Sequence, residues 1–303
     1  MNKLVSIVIP CFKAGAYINK ALESIASQTY TNWEIIAIDD CGPKDDTELL
    51  VREFARKYDS KRVVFIKHEK NKGVSAARNT GVKNAKGNLI ALLDPDDFWK
   101  PKHLEQGIYH FNNDRALSFY SSFANIFYDN NSSQISDIEG YKDWELKAFP
   151  SILSIRNAIP NSSAIIRAEV FDQIGLYDES IDMQHVEDCD LWIRIVSGGL
   201  KALINPEPNI YYRKHASGAT SNSDKMNKAK HVFALKHKDW MVLHLRRALD
   251  AQVRHIFTLE NKIEQLKRYD YDLVARLNSV EQTIKKFKTL PILKQLLQLK
   301  RQF

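Results

Sequence analysis

The sequence lacks the features of disulfide-bonded, secreted and membrane-spanning proteins. Three cysteines (Cys11, Cys41 and Cys189) are too few and too odd in number for a disulfide framework, which favours a reducing compartment. No apolar run approaches the ~20 residues that a membrane-spanning helix needs. The first ten residues hold one lysine, a short apolar run and Pro10 without a small-residue cleavage site, which is typical of a first strand and not of a signal peptide. These absences together predict a cytoplasmic chain.

A net positive charge is lacking in most of the chain and is confined to its C-terminal end. Residues 225–303 hold 18 Lys and Arg against 7 Asp and Glu, so they carry +11 while the remainder carries −4 of the total +7. A basic tail attracts nucleic acid or an anionic membrane. Aromatic residues are not interleaved with the basic ones, as a single-strand binding groove requires. We therefore expect no nucleic-acid partner, and we favour an anionic membrane surface as the partner of the basic tail.

Glycine and proline are absent between Gly218 and Pro291, and a heptad repeat occupies this stretch. Twelve of the fourteen a and d positions between Val242 and Phe287 are apolar, and Asp270 at an a position would help to fix the register. The pattern predicts a helix of about 70 Å that forms a parallel coiled coil, most simply a homodimer. A long helix folded back on the rest of the chain is the alternative. The a and d positions are Val242, Leu245, Leu249, Gln252, Ile256, Leu259, Ile263, Leu266, Asp270, Leu273, Leu277, Val280, Ile284 and Phe287.

The first hundred residues alternate between strand-like and helix-like patterns, which predicts βαβ units and a mostly parallel sheet. The predicted strands are Val5–Ile9, Glu34–Ile38, Val63–Ile66 and Leu89–Leu93, and the helices between them are Ala16–Gln28, Thr47–Tyr58 and Ser75–Ala85. Ligands of such sheets bind beyond the carboxyl ends of the strands. Beyond Pro101 the pattern predicts helices His103–Asn112 and Val186–Val196 and strands Ser118–Phe127, Ser163–Ile166 and Asn209–Arg213.

The buried-looking strand Leu89–Leu93 ends in Asp94-Pro95-Asp96-Asp97, three carboxylates within four residues. Burying like charges together is costly unless a cation joins them. Carboxylate oxygens suit Mg²⁺ or Mn²⁺, and a metal held by one or two carboxylates keeps positions for phosphate oxygens. The alternative is an acidic turn that caps the next helix.

Two further segments carry candidate chemistry. Glu187 and Asp188 fall in the first turn of a predicted helix, where they either complement the helix dipole or supply a general base. The run from Tyr211 to His215 places Arg, Lys and His after a predicted strand, where they can hold a diphosphate, and neutral His215 can ligate a metal.

Three sequence stretches together resemble glycosyltransferase family 2. They are VSIVIPCFKAGAYINKALESIASQTYTNWEIIAIDD, NKGVSAARNTGVKNAKGNLIALLDPDDFWKP and IGLYDESIDMQHVEDCDLWIRI, in the family's order and spacing, and the resemblance covers residues 4–215. It implies an A-type glycosyltransferase fold, a nucleotide-diphospho-sugar donor and Mn²⁺ or Mg²⁺. Two departures are Phe12-Lys13 where the family often has Tyr-Asn, and Cys41-Gly42 where it often has Gly-Ser.

The resemblance also implies roles for individual residues. Asp40 would read the nucleobase, with Asp39 beside it and Pro10 and Phe12 lining the base and ribose pocket. Arg78 and Asp94 would lie on the nucleotide side. Asp96 and Asp97 would belong to the metal site, together with His215 as a metal or diphosphate contact. Asp188 would be the catalytic base, with Glu187 on the acceptor side.

We therefore expect a metal-dependent inverting glycosyltransferase that moves a sugar, most simply from a UDP-sugar, to a saccharide or lipid-linked saccharide hydroxyl with a β-linkage. The expected context is surface polysaccharide synthesis, such as lipopolysaccharide or capsule. The alternatives are a nucleotidyltransferase and an inactive glycosyltransferase-like module that acts through its coiled coil.

The expected organisation has four parts. Residues 1–100 form the nucleotide-sugar-binding half and 101–222 the acceptor and catalytic-base half of one domain. Residues 223–290 form the coiled-coil oligomerisation segment, and 291–303 form a basic amphipathic end. That end either packs on the coil or lies on the inner face of the cytoplasmic membrane.

Overall fold

The structure, a computed structural model, describes residues 3–128, 135–215, 223–269, 282 and 284–286. The chain divides into two compact units. The larger comprises residues 1–141 and 157–238, and the smaller comprises residues 142–156 and 239–303, which differs from the expected boundary at residue 222. Across the described ranges, no helix is long and apolar enough to cross a membrane.

The first hundred residues of the larger unit follow the predicted alternation. The elements are β1 (Val5–Cys11), α1 (Ile18–Ala26), β2 (Trp33–Asp39), α2 (Thr47–Tyr58), β3 (Val63–Lys67), α3 (Val74–Asn84) and β4 (Leu89–Leu92). The four strands pair in parallel in the order β3-β2-β1-β4. Every residue of β1, β2 and β4 is buried, because α1 and α3 supply apolar contacts for the β-branched strand residues.

The rest of the chain extends this sheet with strands of both directions. Its elements are β5 (Phe98–Trp99), α4 (His103–Asn113), β6 (Leu117–Tyr128), β7 (Ile135–Glu139), α5 (Asp143–Lys147), β8 (Ile165–Arg167), α6 (Ala168–Ile174), α7 (Glu187–Ser197), β9 (Lys201–Lys214), α8 (Ser223–Lys236) and α9 (Lys238–Tyr269). The nine-stranded sheet has the order β3-β2-β1-β4-β8-β6-β9-β5, with β7 on β6.

The expectation of a mostly parallel sheet is wrong for this second half. β8 is antiparallel to both β4 and β6, and β5 is antiparallel to β9, so that the sheet as a whole is mixed. β6 and β9 do pair in parallel, so the second half contains pairs of both directions. The helix crossovers of the first half require parallel pairing. Later connections lack that constraint, and hydrophobic periodicity does not encode strand direction.

One glycine allows α3 to approach the sheet closely enough to place its polar residues over the strand ends. A Cβ atom at Gly81 would lie 2.3 Å from Cγ1 of Val8 and 2.9 Å from Cδ1 of Ile38, both of them core side chains. A larger residue would therefore push α3 away from β1 and β2.

The smaller unit is built on α9. Ser151 hydrogen-bonds through Oγ to Nδ1 of His244 at 2.9 Å, and Trp144 stacks on His255 with ring centroids 5.5 Å apart. The buried apolar residues Val253, Ile256, Ile263 and Ile284 form one cluster, with Leu249 and Leu259 packed against it.

This cluster changes the interpretation of the heptad repeat. A straight helix would separate Ile263 from Ile284 by about 30 Å, yet both belong to the same cluster. Part of the apolar stripe of α9 is therefore buried by Ile284 of the same chain. The structure describes α9 as far as Tyr269, and the remainder of the helix expected from Val242 to Phe287 runs through residues outside the described ranges. Val242 is 72% exposed and Leu266 is 42% exposed. The heptad positions Asp270, Leu273, Leu277, Val280 and Phe287, like residues 291–303, lie outside the described residues. Oligomerisation stays a prediction.

Candidate active site

The predicted convergence of three strand ends is found in the structure. Cys11, the last residue of β1, lies in register with Asp39, the last residue of β2. The chain leaving β4 continues alongside β1, because Leu93 donates its backbone N–H to the Val8 carbonyl at 3.1 Å. Pro10 and Phe12, the Asp39-Asp40 pair and the acidic run after β4 therefore share one edge of the sheet. Pro10 is buried, whereas the Phe12 side chain is 48% exposed at this edge.

Asp40 organises the loop between β3 and α3. Its Oδ1 accepts the backbone N–H of Lys72 at 2.9 Å and its Oδ2 accepts that of Gly73 at 2.7 Å. Nδ1 of His68 lies 2.6 Å from Oδ1, and Nε2 of the same ring is 2.8 Å from Oγ1 of Thr80. Both Asp40 oxygens thus hold protein groups. The nucleobase contact implied for Asp40 stays a prediction.

Asp39 is the more accessible member of the pair. Its side chain is 12% exposed, compared with 4% for Asp40. One oxygen accepts the Gly42 backbone N–H at 3.2 Å, and the other lies 3.3 Å from Nζ of Lys67.

Within the described ranges, three residues other than glycine adopt left-handed backbone conformations, and all three flank the segments that carry the candidate residues. The φ angles are 54° at Lys13, 55° at Cys41 and 78° at His185. Lys13 follows the end of β1, Cys41 follows Asp40, and His185 precedes the start of α7. This conformation costs roughly 1–2 kcal/mol for an ordinary residue and clusters at functional sites. The residues that the family often has at positions 13 and 41, Asn and Gly, tolerate this region better than Lys and Cys do, so both departures add backbone strain.

Arg78 joins the two acidic segments. Its Nη2 donates to Oδ1 of Asp94 at 2.8 Å, and its Nη1 donates to Oε1 of Glu187 at 2.7 Å. Burial disfavours the charged guanidinium, but the two carboxylates outweigh this and raise the pKa of Arg78 well above its usual value. The cation therefore offsets part of the charge that would otherwise keep the two segments apart.

The acidic run places its three carboxylates in different surroundings. Asp97 is buried, and its oxygens accept the Ser162 hydroxyl at 2.5 Å and the Arg213 backbone N–H at 2.8 Å. Burial and the neighbouring carboxylates of Asp96 and Asp94 raise the pKa of Asp97 well above its usual value. Asp97 thus links the run to the 157–163 segment and to β9. Direct metal ligation by Asp97 stays a prediction that this geometry does not support.

Asp96 and His215 come together at the rim of the site. Nε2 of His215 lies 3.0 Å from Oδ2 of Asp96, and the Asp96 side chain is 30% exposed. Burial and the charge of Asp94 raise the pKa of Asp96, and His215 partly offsets the rise. A carboxylate beside an imidazole is a donor set that accepts Mn²⁺ or Mg²⁺. Among the residues described, no group of three or more His, Cys, Asp or Glu forms a complete metal site. Such a pair fits a metal whose other ligands come from a diphosphate.

The second acidic segment opens α7, as expected. Asp188 accepts its neighbour Cys189 N–H at 2.7 Å through Oδ1 and the side-chain amide of Asn157 at 3.3 Å through Oδ2. Burial and the adjacent charge of Glu187 raise the pKa of Asp188 to about 7. A carboxylate with that pKa changes between acid and base at neutral pH, which is what general-base catalysis needs.

Glu187 and Asp190 lie on either side of Asp188 and differ from it. Glu187 is buried, with Oε1 paired to Arg78, and its Oε2 has no hydrogen-bond partner in the part of the chain that the structure describes. Asp190 is fully buried among His237, Lys236 and Arg194, whose hydrogen bonds and charges lower its pKa despite the opposing effect of burial. Asp190 therefore fixes α7 to the end of α8 and is not a candidate base.

Sequence reasoning missed the segment 157–163, which contacts both the acidic run after β4 and the candidate base Asp188. Asn157 reaches Asp188, Asn161 lies 3.4 Å from both oxygens of Asp94, and Ser162 bonds to Asp97. The polar run Asn161-Ser162-Ser163 directly before β8 was the available signal, because buried strands seldom begin with three polar residues. Its contacts bridge 31 to 68 residues of sequence, which no local pattern reveals.

Comparison with known proteins places the larger unit in a family. The family model described as "Glycosyl transferase family 2" matches residues 6–175. The chain is 28% identical over 268 residues to the UDP-Glc:alpha-D-GlcNAc-diphosphoundecaprenol beta-1,3-glucosyltransferase WfaP of Escherichia coli, and the match covers 86% of this chain and 98% of that protein. The candidate base lies beyond the stretch matched by the family model but within the larger unit.

Two solved structures share the fold. The structure of S. aureus TarS residues 1–349 in complex with UDP-GlcNAc aligns with a TM-score of 0.63 at 17% identity, over 81% of this chain and 72% of that one. The mannosyltransferase PcManGT of Pyrobaculum calidifontis in complex with GDP-Man and Mn²⁺ aligns with a TM-score of 0.56 at 15% identity, over 95% of this chain and 87% of that one.

Proposed function

Because the chain belongs to glycosyl transferase family 2, we propose that it transfers a sugar from a UDP-sugar to a hydroxyl of a lipid-linked saccharide with inversion at the anomeric carbon. The observation that carries the proposal is the bridge through Arg78. This bridge brings the acidic run after β4 and the α7 carboxylates into one site, although they are about 90 residues apart. The acidic run would hold the leaving diphosphate while Asp188 receives a proton a short distance away.

In the proposed reaction, Asp188 accepts the proton of the acceptor hydroxyl as that oxygen attacks the anomeric carbon. The glycosidic bond forms on the face opposite the departing nucleotide diphosphate, so an α-linked donor gives a β-linked product. A single displacement needs one base and no covalent enzyme intermediate, unlike the two-step route of retaining glycosidases. Because the pKa of Asp188 is about 7, a large fraction of this carboxyl group is ionised at neutral pH and can act as the base.

Asp96 and His215 would hold the divalent metal, Mn²⁺ or Mg²⁺. When bound, such an ion neutralises the charge that develops on the departing diphosphate. Arg78 supports the same region, since it keeps Asp94 paired and leaves Asp96 directed to the rim. We assign Asp97 a supporting role in which it fixes the run to Ser162 and to β9.

We propose that the nucleotide of the donor binds at the carboxyl ends of β1 and β2. Phe12 is exposed beside the Asp39-Asp40 pair, so a uridine ring would meet an apolar face and a carboxylate there. Glu187 adjoins Asp188 at the start of α7 and is proposed to lie on the acceptor side, where its pairing with Arg78 would hold this end of the helix in place. UDP-glucose and a GlcNAc-diphospho-lipid are the first substrates to test, because those are the substrates in the name of the E. coli relative.

A membrane-bound acceptor would explain the basic charge of the C-terminal end. Residues 225–303 carry 18 Lys and Arg against 7 Asp and Glu, and an anionic surface attracts each nearby cation by about 1 kcal/mol. We propose a homo-oligomer on the inner face of the cytoplasmic membrane, held there by residues 291–303, that works in surface polysaccharide synthesis.

The test is a transfer assay with UDP-glucose and a synthetic GlcNAc-diphospho-lipid, with and without Mn²⁺. The expected product carries a β-linked hexose, which the anomeric proton coupling in NMR identifies. An α-linked product would exclude the inverting mechanism. Nucleotidyl transfer from UDP-glucose would move UMP to the acceptor and release glucose 1-phosphate and not UDP, so analysis of the released product separates that alternative. Tight nucleotide binding without turnover on any acceptor would favour an inactive module.

A further inference from the structure

Asn157 contacts the candidate base from outside its helix. It lies 31 residues before Asp188, and its Nδ2 donates to Asp188 Oδ2 at 3.3 Å. Its Oδ1 accepts the backbone N–H of Ile159 at 3.0 Å. A backbone N–H can only donate, so the amide oxygen must face Ile159 and the NH₂ group must face the carboxylate.

Asp188 has donors on both of its oxygens. The Cys189 N–H holds Oδ1 at 2.7 Å, and Asn157 holds Oδ2. The Cys189 side chain also hydrogen-bonds to the carboxylate. Both Cys189 groups belong to the residue next to Asp188 in α7, whereas Asn157 reaches the carboxylate from another segment and restrains rotation about its Cβ–Cγ bond.

We propose that Asn157 is the positioning residue of this site, and that its side-chain amide holds the Asp188 carboxylate in the orientation that receives the acceptor's proton. The inference rests on the proposed function in that Asp188 is the base. Neither the family pattern nor the comparisons assign a role to Asn157. Asn157 belongs to the 157–163 segment, in which Asn161 contacts Asp94 and Ser162 bonds to Asp97. Side chains of one short segment therefore contact both acidic segments of the site.

The effect of the Asn157 contact can be measured as a change in the pKa of Asp188, which depends on the groups around this carboxylate. Burial and the charge of Glu187 raise the pKa of Asp188, while the Cys189 N–H, Arg78 and the Cys189 thiol lower it. The Cys189 thiol also contacts Asn157, and burial raises the pKa of this thiol well above its usual value, so it stays neutral. Tyr177 and Tyr212 also face it, and both hydroxyls are neutral at the pH of interest because burial raises their pKa. A donor on Oδ2 favours the ionised form. Removing Asn157 should therefore raise the pKa of Asp188 further, which a merely structural asparagine would not do.

The experiment compares Asn157→Ala and Asn157→Asp with the unchanged protein and with Asn84→Ala as a matched control. Asn84 is an exposed residue near the end of α3 whose amide bonds only to the Thr80 carbonyl. The titration of Asp188 is followed by carboxyl ¹³C NMR, with its signal assigned by its loss in Asp188→Asn. We expect an increase of about half a unit to one unit in Asn157→Ala and a larger one in Asn157→Asp, which places a like charge beside the base.

In transfer assays we expect kcat of Asn157→Ala to fall about tenfold at pH 7 while the KM for the donor changes less than about twofold. An Asp188 titration that is the same in all three Asn157 forms would overturn the proposal, as would an unchanged kcat. The NMR titration needs no turnover, so failure of the wild-type protein to transfer sugar would count against the proposed function and would leave the NMR test of Asn157 intact.

Discussion

Arg78 donates from Nη1 to Oε1 of Glu187 at 2.7 Å, although the two residues are 109 positions apart in the chain. Both side chains are at least nine-tenths buried. The same guanidinium holds Asp94, so one cation from α3 connects the two carboxylate groups on which the proposed chemistry depends.

Replacing Arg78 with Met should destabilise the protein by about 3–5 kcal/mol at pH 7, because it leaves the buried Glu187 and the partly buried Asp94 without their cation. Urea denaturation measures the loss. The matched control is Arg52→Met, which removes the exposed pair with Glu48 and should cost only about 0.3–0.5 kcal/mol. Equal losses in the two variants would contradict a central role for the bridge.

Asp188→Asn should reduce kcat by about 10²–10⁴-fold while nucleotide binding is retained, because an amide keeps the shape of the carboxylate but cannot accept a proton. In the unchanged protein, kcat/KM should rise with pH through about 7, since Asp188 is protonated below that value. Retention of more than about a tenth of the activity would exclude Asp188 as the base.

The same pKa has a consequence for stability. Asp188 titrates near 7 in the folded protein but near 3.9 when unfolded, so the folded state binds the proton more tightly between these values. The contribution of Asp188 to the free energy of unfolding therefore falls as the pH rises from about 4 to 7. Asp188→Asn should become more stable relative to wild type over that range and level off above it. Parallel urea titrations at pH 5 and pH 8 would reveal the difference, and its absence would mean that Asp188 titrates normally.

Metal and nucleotide should bind cooperatively through Asp96 and not through Asp97. Calorimetry of the wild-type protein should show that Mn²⁺ tightens UDP binding and that UDP tightens Mn²⁺ binding by the same factor. Asp96→Asn should abolish this coupling. Asp97→Asn should keep the coupling but destabilise the fold, because the amide presents a donor where Ser162 and Arg213 already donate. Loss of the coupling in Asp97→Asn alone would reverse the two roles.

Cys41→Gly should stabilise the protein by up to about 1 kcal/mol, because glycine adopts the φ of 55° at this position without steric cost. Cys41→Ala removes the thiol but keeps the Cβ atom, so it should change the stability little. Thermal unfolding of the two variants separates backbone strain from any effect of the sulfur. A stabilisation of the same size in Cys41→Ala would assign the effect to the thiol.

The sequence alone determined the first half of the fold and much of the site. β-branched runs between amphipathic helices encode βαβ units, so Val5–Cys11, Trp33–Asp39, Val63–Lys67 and Leu89–Leu92 were predictable as parallel strands to within one or two residues. Because the carboxyl ends of parallel strands meet at one edge, the proximity of the Asp39-Asp40 pair to Asp94 followed from the same pattern.

The tertiary structure decided what depends on long-range contact. The antiparallel direction of β8, the contact of Asn157 with Asp188 and the shared cluster of Ile263 and Ile284 each join segments that no local pattern relates. Heptad spacing predicts which residues of a helix will be buried. It does not predict whether a second copy of the chain or another part of the same chain buries them. The neighbours of a carboxylate likewise decide its pKa. Cationic neighbours lower the pKa of Asp190, whereas burial and nearby carboxylates raise the pKa of Asp97 and Asp188. Those neighbours come from distant parts of the sequence, since electrostatic interactions act through space and not along the chain.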